Sequence, residues 1–221
     1  MPHVALLGDS SFDNAAYVGS GGVHVLGHLH ERLPTPWKAT LCARDGATTL
    51  DIERQLTKVP ADATHLVVSV GGNDALKVGG ILREKARSVA EVLGRFHQLG
   101  ATFEKTYHEM LDAVLARGIP TGVCAIYNPA PTDETERRVM SVGLQTFNDV
   151  ILRAAFARGI PLIDLRLTCN EPGDLANPIE ASSVGGAKIA DAVARLVTEH
   201  DFSRAVASVY YGRAPGVTPA R

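Results

Sequence analysis

Serine, asparagine and carboxylate side chains gather in three short clusters of this chain, each at the end of an apolar run. The first cluster is Gly8-Asp9-Ser10-Ser11-Phe12-Asp13-Asn14, the second Asp45-Gly46-Ala47-Thr48-Thr49, the third Gly71-Gly72-Asn73-Asp74. A serine on a tight strand-to-helix turn projects its hydroxyl over a sheet, and the next helix N-terminus offers backbone N–H groups to an oxyanion. Gly46 lets the backbone approach a ligand closely, and the Asn73 amide can donate to the same oxyanion. Each cluster also has a structural reading: Asp9 and Asp13 can cap a helix, and Gly71-Gly72 can be a plain turn. Their recurrence at three successive strand ends is what points to a site.

The elements that must position these clusters are legible in the hydrophobic pattern. Val4 to Leu7, Thr40 to Ala43, His65 to Val70, Gly122 to Ile126 and Ile160 to Ile163 are short apolar runs without strict alternation, as suits strands buried on both faces. Helical stripes separate them: Phe103, Tyr107, Met110, Leu111 and Val114; Leu144, Phe147, Ile151, Ala154 and Ala155; Ile189, Val193, Leu196 and Val197. Two of these helices close on the same punctuation, Arg117-Gly118-Ile119-Pro120 and Arg158-Gly159-Ile160-Pro161. Strands alternating with helices imply a parallel sheet covered on both faces. In such sheets ligands bind at the carboxyl ends of the strands. The longest connection, Asn73 to Gly118, has room for more than one helix and for a segment overhanging the site. Residues 1–202 read as one domain and 203–221 as a loosely held tail.

The order Gly8-Asp9-Ser10, then Gly46, then Gly71-Gly72-Asn73-Asp74 resembles the SGNH (GDSL-type) hydrolase family over nearly the whole chain. The resemblance implies a three-layer α/β/α fold, with a flavodoxin-like five-stranded parallel sheet in the order 2-1-3-4-5. It implies a serine hydrolase acting on a small carboxylic ester, acetyl or short acyl. Ser10 would be the nucleophile. The Ser10 N–H, the Gly46 N–H and the Asn73 amide would form the oxyanion hole.

The last family block departs from the pattern. Where the family has Asp-x-x-His, this chain reads Asn177-Pro178-Ile179-Glu180, and then a Gly-Gly-x-Lys-Ile-Ala helix start that matches. Glu180 thus stands in the place of the general base and Asn177 in the place of its orienting aspartate. A buried carboxylate with a raised pKa can take a serine proton, and a neutral Asn177 avoids the repulsion an aspartate would bring. Glu180 has a second reading, as an anchor of the last helix in a catalytically impaired module that binds an acylated or glycosylated ligand or a protein partner. None of the eight histidines falls in this block. His97 and His108, in the long connection, are the remote alternatives for a base, while His24 and His28 are spaced i, i+4. Tyr127, after the fourth strand, is placed to line the mouth of a pocket, and Asp164 to hydrogen-bond loop backbone or to support the last block; structural duty is the favoured reading of both.

Composition narrows the rest. The 221 residues carry 22 Lys plus Arg against 24 Asp plus Glu, a net charge of −2, which argues against nucleic-acid binding through a basic face. No apolar run approaches the ~20 residues of a membrane span, and the N-terminus lacks a signal-peptide pattern. Cys42, Cys124 and Cys169 are odd in number and form no Cys-x-x-Cys, so reduced thiols in a cytoplasmic protein are expected. No cofactor or metal is called for; no Gly-x-Gly-x-x-Gly or Walker lysine comes after the first strand. The expected partner is a small-molecule ester.

Overall fold

The computed structural model describes residues 1–212. Six parallel strands form one sheet in the order β2-β1-β3-β4-β5-β6: β1 (His3–Gly8), β2 (Lys38–Leu41), β3 (His65–Ser69), β4 (Thr121–Ala125), β5 (Leu162–Asp164) and β6 (Val209–Tyr210). The α/β class and the order 2-1-3-4-5 match the expectation, and the sixth strand is new. It lies within the segment expected to hang loose. Val209 and Tyr210 pair with Leu162 and Ile163 of β5, and the Gly212 N–H donates to Thr168 Oγ1 at 3.1 Å. Without this strand β5 would present a row of unpaired backbone groups. Residues 213–221 of the expected tail lie outside the described residues.

Alternate residues of each strand serve opposite cores. Ala5, Leu7, Leu66, Val68, Val123 and Leu162 pack under α2 (Ile52–Leu56), α4 (Val89–Leu115) and α5 (Glu134–Ala157). Val4, Leu6, Val67, Cys124 and Ile163 pack under α1 (Val25–Arg32) and α7 (Ser183–Glu199). The three stripes read from the sequence are the buried faces of α4, α5 and α7. Gly118 and Gly159 take φ of 65° and 62° just past α4 and α5, the left-handed turn that ends a helix. Side-chain caps start the same helices: Ser88 Oγ accepts from the Glu91 N–H, Asp133 from the Glu136 N–H, and Ser182 from the N–H groups of Val184 and Gly185.

Two local expectations shift. The second strand ends at Leu41 rather than Ala43, because the N–H groups of Cys42 and Ala43 both donate to the Leu6 carbonyl and turn the chain off the edge. No helix follows Ser10 directly. One tight turn, with Phe12 and Asp13 N–H donating to the Asp9 carbonyl, leads into a loop, and α1 begins only at Val25. The long third connection holds α3 (Gly72–Val78), a 3₁₀ turn (Gly79–Arg83) and α4. All three cysteines are free and buried. Among the described residues no helix is long and apolar enough to cross a membrane.

Candidate active site

The loops at the carboxyl ends of β1, β3 and β4 and the segment before α7 converge on one cavity of about 110 Å³. Its polar end holds Asp9, Ser10, Asn73 and Glu180, and its apolar end is walled by residues including Phe96, Leu99, Leu144 and Phe147. α4 and α5 supply that apolar end, and α3 with its 3₁₀ extension forms one side. The third connection does overhang the site.

Ser10 is placed by packing beneath it. Gly8 sits at φ 136°, and a Cβ there would fall 1.8 Å from the Ser69 carbonyl oxygen of β3. Only glycine lets β1 leave the sheet so close to its neighbour. The buried Gln55 of α2 grips this residue from both sides: its Oε1 accepts the Gly8 N–H at 2.7 Å and its Nε2 donates to the Gly8 carbonyl at 2.7 Å. Asp9 Oδ1 then accepts the Ser11 N–H at 3.0 Å, which fixes the turn and leaves the Ser10 N–H without a hydrogen-bond partner among the described residues.

The second and third clusters are tied to each other. Asp74 accepts the Thr49 N–H at 3.1 Å and its hydroxyl at 2.7 Å, and Asn73 Nδ2 donates to the Ala47 carbonyl at 3.0 Å. One hydrogen of the Asn73 amide is thus committed to the Gly46 loop, and the second remains for the cavity. Gly46 takes φ 77°, and its N–H has no partner among the described residues. Asp13 Oδ2 accepts the Asp45 N–H at 3.0 Å, joining the first cluster to the second. The buried Asn14 joins the first to the last: its Oδ1 accepts the Val25 N–H at 2.9 Å, and its Nδ2 donates to the Ala181 carbonyl at 3.2 Å.

Glu180 reaches the cavity on a tight turn. Asn177 Oδ1 accepts the N–H groups of Ile179 and Glu180, each at 3.0 Å, and the Ala176 N–H donates to the Glu180 carbonyl at 2.8 Å. Tyr127 Oη donates to the Ile179 carbonyl at 2.8 Å and the Ala130 N–H to that of Pro178 at 2.8 Å, so the loop after β4 holds the turn from outside. Asn177 is expected to orient the Glu180 carboxylate, and among the described residues it makes no hydrogen bond to that carboxylate. Its side chain instead binds the Glu180 backbone from an exposed position. An Asn side chain two or three residues ahead forms this turn through its oxygen with local N–H groups.

The site's electrostatics centre on two carboxyls. Burial raises Glu180 above the ordinary carboxylate range. The Ser10 hydroxyl opposes the rise, and the charge of Asp45 adds to it. Glu180 Oε2 is buried with no hydrogen-bond partner, and no bond of standard geometry closes between its carboxylate and the Ser10 hydroxyl. Catalytic hydrogen bonds are often long before substrate arrives. Asp9 is pushed up from 3.8 to about 7. Burial dominates; hydrogen bonds from Ser11 counter it, and the charges of Glu180 and Asp74 add to it. The negative charge of Glu180 makes it harder for Asp9 to give up its proton. Burial and the same two carboxylates keep the Tyr127 phenol well above its ordinary range.

Ser10, Asn73 and Glu180 thus share one cavity, Gly46 sits in the loop tied to Asn73, and Asn177 shapes the turn beneath Glu180. Among the described residues no histidine lines the cavity. His97 is exposed on α4, His24 caps α1, and His28 Nε2 meets Ser183 Oγ at 3.2 Å. Asp164 accepts the Arg166 backbone N–H at 3.0 Å, capping α6 (Leu165–Thr168), and pairs with the Arg166 guanidinium at 2.6 Å. Sequence reasoning does not reach Asp9 as a buried proton-holding group, nor Asn14 and Gln55. Asp9 is visible in the sequence only as a turn residue, and nothing in the order of residues marks Gln55 or Asn14 as contacts. Among the described residues no group of three or more His, Cys, Asp or Glu is disposed to hold a metal.

A parallel α/β/α sheet with a serine at the end of its first strand and a shared polar cavity defines a hydrolase of the SGNH class. The GDSL-like lipase/acylhydrolase family model matches residues 6–183, and the chain belongs to that family. Among solved structures, it is similar to an extracellular lipase from Streptomyces rimosus, at 18% identity and TM-score 0.59, covering 85% of this chain and 95% of that one. It is also similar to a lipase/acylhydrolase from Enterococcus faecalis, at 20% identity and TM-score 0.63, covering 89% and 95%. An acetyl xylan esterase, AlAXEase, aligns at 19% identity and TM-score 0.59, covering 86% and 96%. At these identities the likeness speaks for the fold. Among curated proteins no sequence matches this chain.

Proposed function

We propose that this protein hydrolyses a carboxylic ester with a short acyl chain through an acyl-enzyme on Ser10. The observation that carries the reading is that Ser10 and an unpartnered buried Glu180 carboxylate oxygen meet at the polar end of an apolar cavity. In the first step the Ser10 oxygen bonds to the ester carbonyl carbon, and its proton passes to Glu180. The oxyanion is held by the N–H groups of Ser10 and Gly46 and by the free hydrogen of the Asn73 amide. Collapse breaks the bond to the alkoxide, which takes the proton from Glu180. Water then attacks the acyl-enzyme, gives its proton to Glu180, and Ser10 recovers it as the acid leaves. A carboxylate is a weaker base than imidazole, and desolvation narrows that gap by raising its pKa. The acyl group lies along the apolar wall from Leu144 to Phe147.

The absence of histidine from the cavity favours one competing reading, a module that binds an acylated ligand without turnover. Steady-state hydrolysis of p-nitrophenyl esters separates the two. The proposal expects Ser10→Ala to remove turnover, Asn73→Ala to cost ~10²–10³ in kcat, and Glu180→Gln to remove the rise of rate with pH. Wild type no faster than Ser10→Ala overturns the hydrolase reading for such esters. A Glu180→Gln variant with an unchanged pH profile overturns the role of Glu180.

A further inference from the structure

The segment that carries Glu180 is a short hairpin, and its base is pinned by charges that the chemistry of Ser10 does not use. Leu175 and Ala181 form an isolated antiparallel bridge, and the Asp174 carbonyl accepts the Ser182 N–H at 2.9 Å. The tip, Pro178 and Ile179, is held by the loop after β4. The base is held by α7. A Cβ on Gly185 would fall 2.1 Å from the Asp174 carbonyl oxygen, so a glycine is what lets the helix come this close. Lys188 stands three residues further on, on the same helix face. Its Nζ meets Asp174 Oδ2 at 2.8 Å and Glu171 Oε2 at 3.0 Å.

The Lys188–Asp174 contact is inside the protein. Lys188 is 3% exposed and Asp174 1%, and among the described residues no other lysine or arginine is buried. Glu171 is exposed, and its backbone N–H donates to the same Asp174 Oδ2 at 2.9 Å. Asp174 Oδ1 has no hydrogen-bond partner, so the compensation of this buried charge rests on Oδ2. Taking two charges out of water is costly, and an apolar pair of similar shape is often as stable or more so. What a buried pair does supply is register: the ammonium and the carboxylate meet in one arrangement, where apolar side chains can slide past each other. The hairpin so registered is the one that brings Glu180 to the cavity.

We infer that Lys188 and Asp174 are positioning residues for Glu180: their ion pair sets the hairpin on α7 and thereby the reach of the Glu180 carboxylate toward Ser10. The inference rests on the reading of Glu180 as the base. Lys188→Met alone strands the Asp174 charge and is expected to destabilise the fold. The double variant Lys188→Met with Asp174→Asn removes both charges, keeps an oxygen for the Glu171 N–H, and is expected to recover most of that stability. It is not expected to recover activity. Its kcat on p-nitrophenyl esters is expected to stay about 10–100-fold below wild type with KM little changed, since a displacement of ~1 Å can cost 10²-fold. The rise of its rate with pH is expected to move to lower pH, because a loosened hairpin lets water reach the carboxyl that burial holds high. A partly unfolded population would lower the rate without moving that rise. The groups that face Glu180, namely Ser10, Asp45, Asp9 and the phenols of Tyr17 and Tyr127, are unchanged in both variants. Amide exchange reads the hairpin without reference to the chemistry: the Ala176 and Ser182 N–H groups are expected to exchange faster in the double variant than in wild type, relative to those of β1. A double variant with wild-type kcat and pH profile, or with wild-type exchange at Ala176 and Ser182, overturns the inference. An unchanged pH profile in Glu180→Gln overturns it too, through the base rather than the anchor, and the exchange data tell those two failures apart.

Discussion

Asp9 is a buried acid that holds its proton to about pH 7 in the folded chain, against an ordinary 3.8. Raised in this way, it favours the fold below pH 3.8, and that contribution is lost as pH rises toward 7. The shift of about 3 units corresponds to a destabilisation of about 4 kcal/mol above pH 7, relative to strong acid. Asp9→Asn keeps an oxygen to accept the Ser11 N–H and removes the charge. Its stability advantage over wild type is therefore expected to grow by about 3 kcal/mol between pH 5 and pH 8, because part of the penalty is already present at pH 5. Urea unfolding of both proteins at several pH values reads this difference, a relative shift of about 1 M in midpoint for a slope of 2–3 kcal/mol/M. The other carboxylates largely cancel in the comparison, apart from Glu180 and Asp74, whose charges Asp9 faces directly. A difference that stays flat from pH 5 to pH 8 would refute the reasoning: Asp9 would then ionise in place.

Two further substitutions probe the frame and the wall. Gln55→Leu leaves the Gly8 N–H buried without a partner, while the Gly8 carbonyl keeps the Arg44 N–H; thermal unfolding should show a loss of about 2–3 kcal/mol, and ester turnover should fall with it as the Ser10 turn loosens. Phe96→Ala removes part of the cavity wall, so a series of p-nitrophenyl esters should show the preferred acyl chain lengthening, with discrimination between neighbouring lengths changing by up to 10–200-fold per methylene. An unchanged chain-length profile would place the acyl group elsewhere.

The sheet order and the helices that cover it are readable in the sequence because their cause is local. Buried parallel strands need continuous apolar runs, and helices need apolar residues at 3–4 spacing; both patterns are written along the chain. β6 escapes such a reading because a two-residue strand carries no periodicity, and its reason to form is the open edge of β5. The expectation of a helix directly after Ser10 fails for a related cause. Gly-Asp-Ser fixes a turn, but the path of the chain beyond that turn depends on the docking of Asn14 to Val25 and Ala181.

Order and spacing alone mark the residues proposed to carry the chemistry. Ser10, Gly46, Asn73 and Glu180 stand in four blocks that are local facts of the chain, and the lack of a histidine in the last block is visible without coordinates. How those groups behave is settled only by the folded chain. A pKa depends on the water and charge around a carboxyl, and neither is defined until β1, β4 and the turn before α7 close on one cavity. That closure makes Asp9 a proton-holding acid, gives Glu180 an unpartnered oxygen beside Ser10, and sets the Asn177 oxygen to shaping the turn.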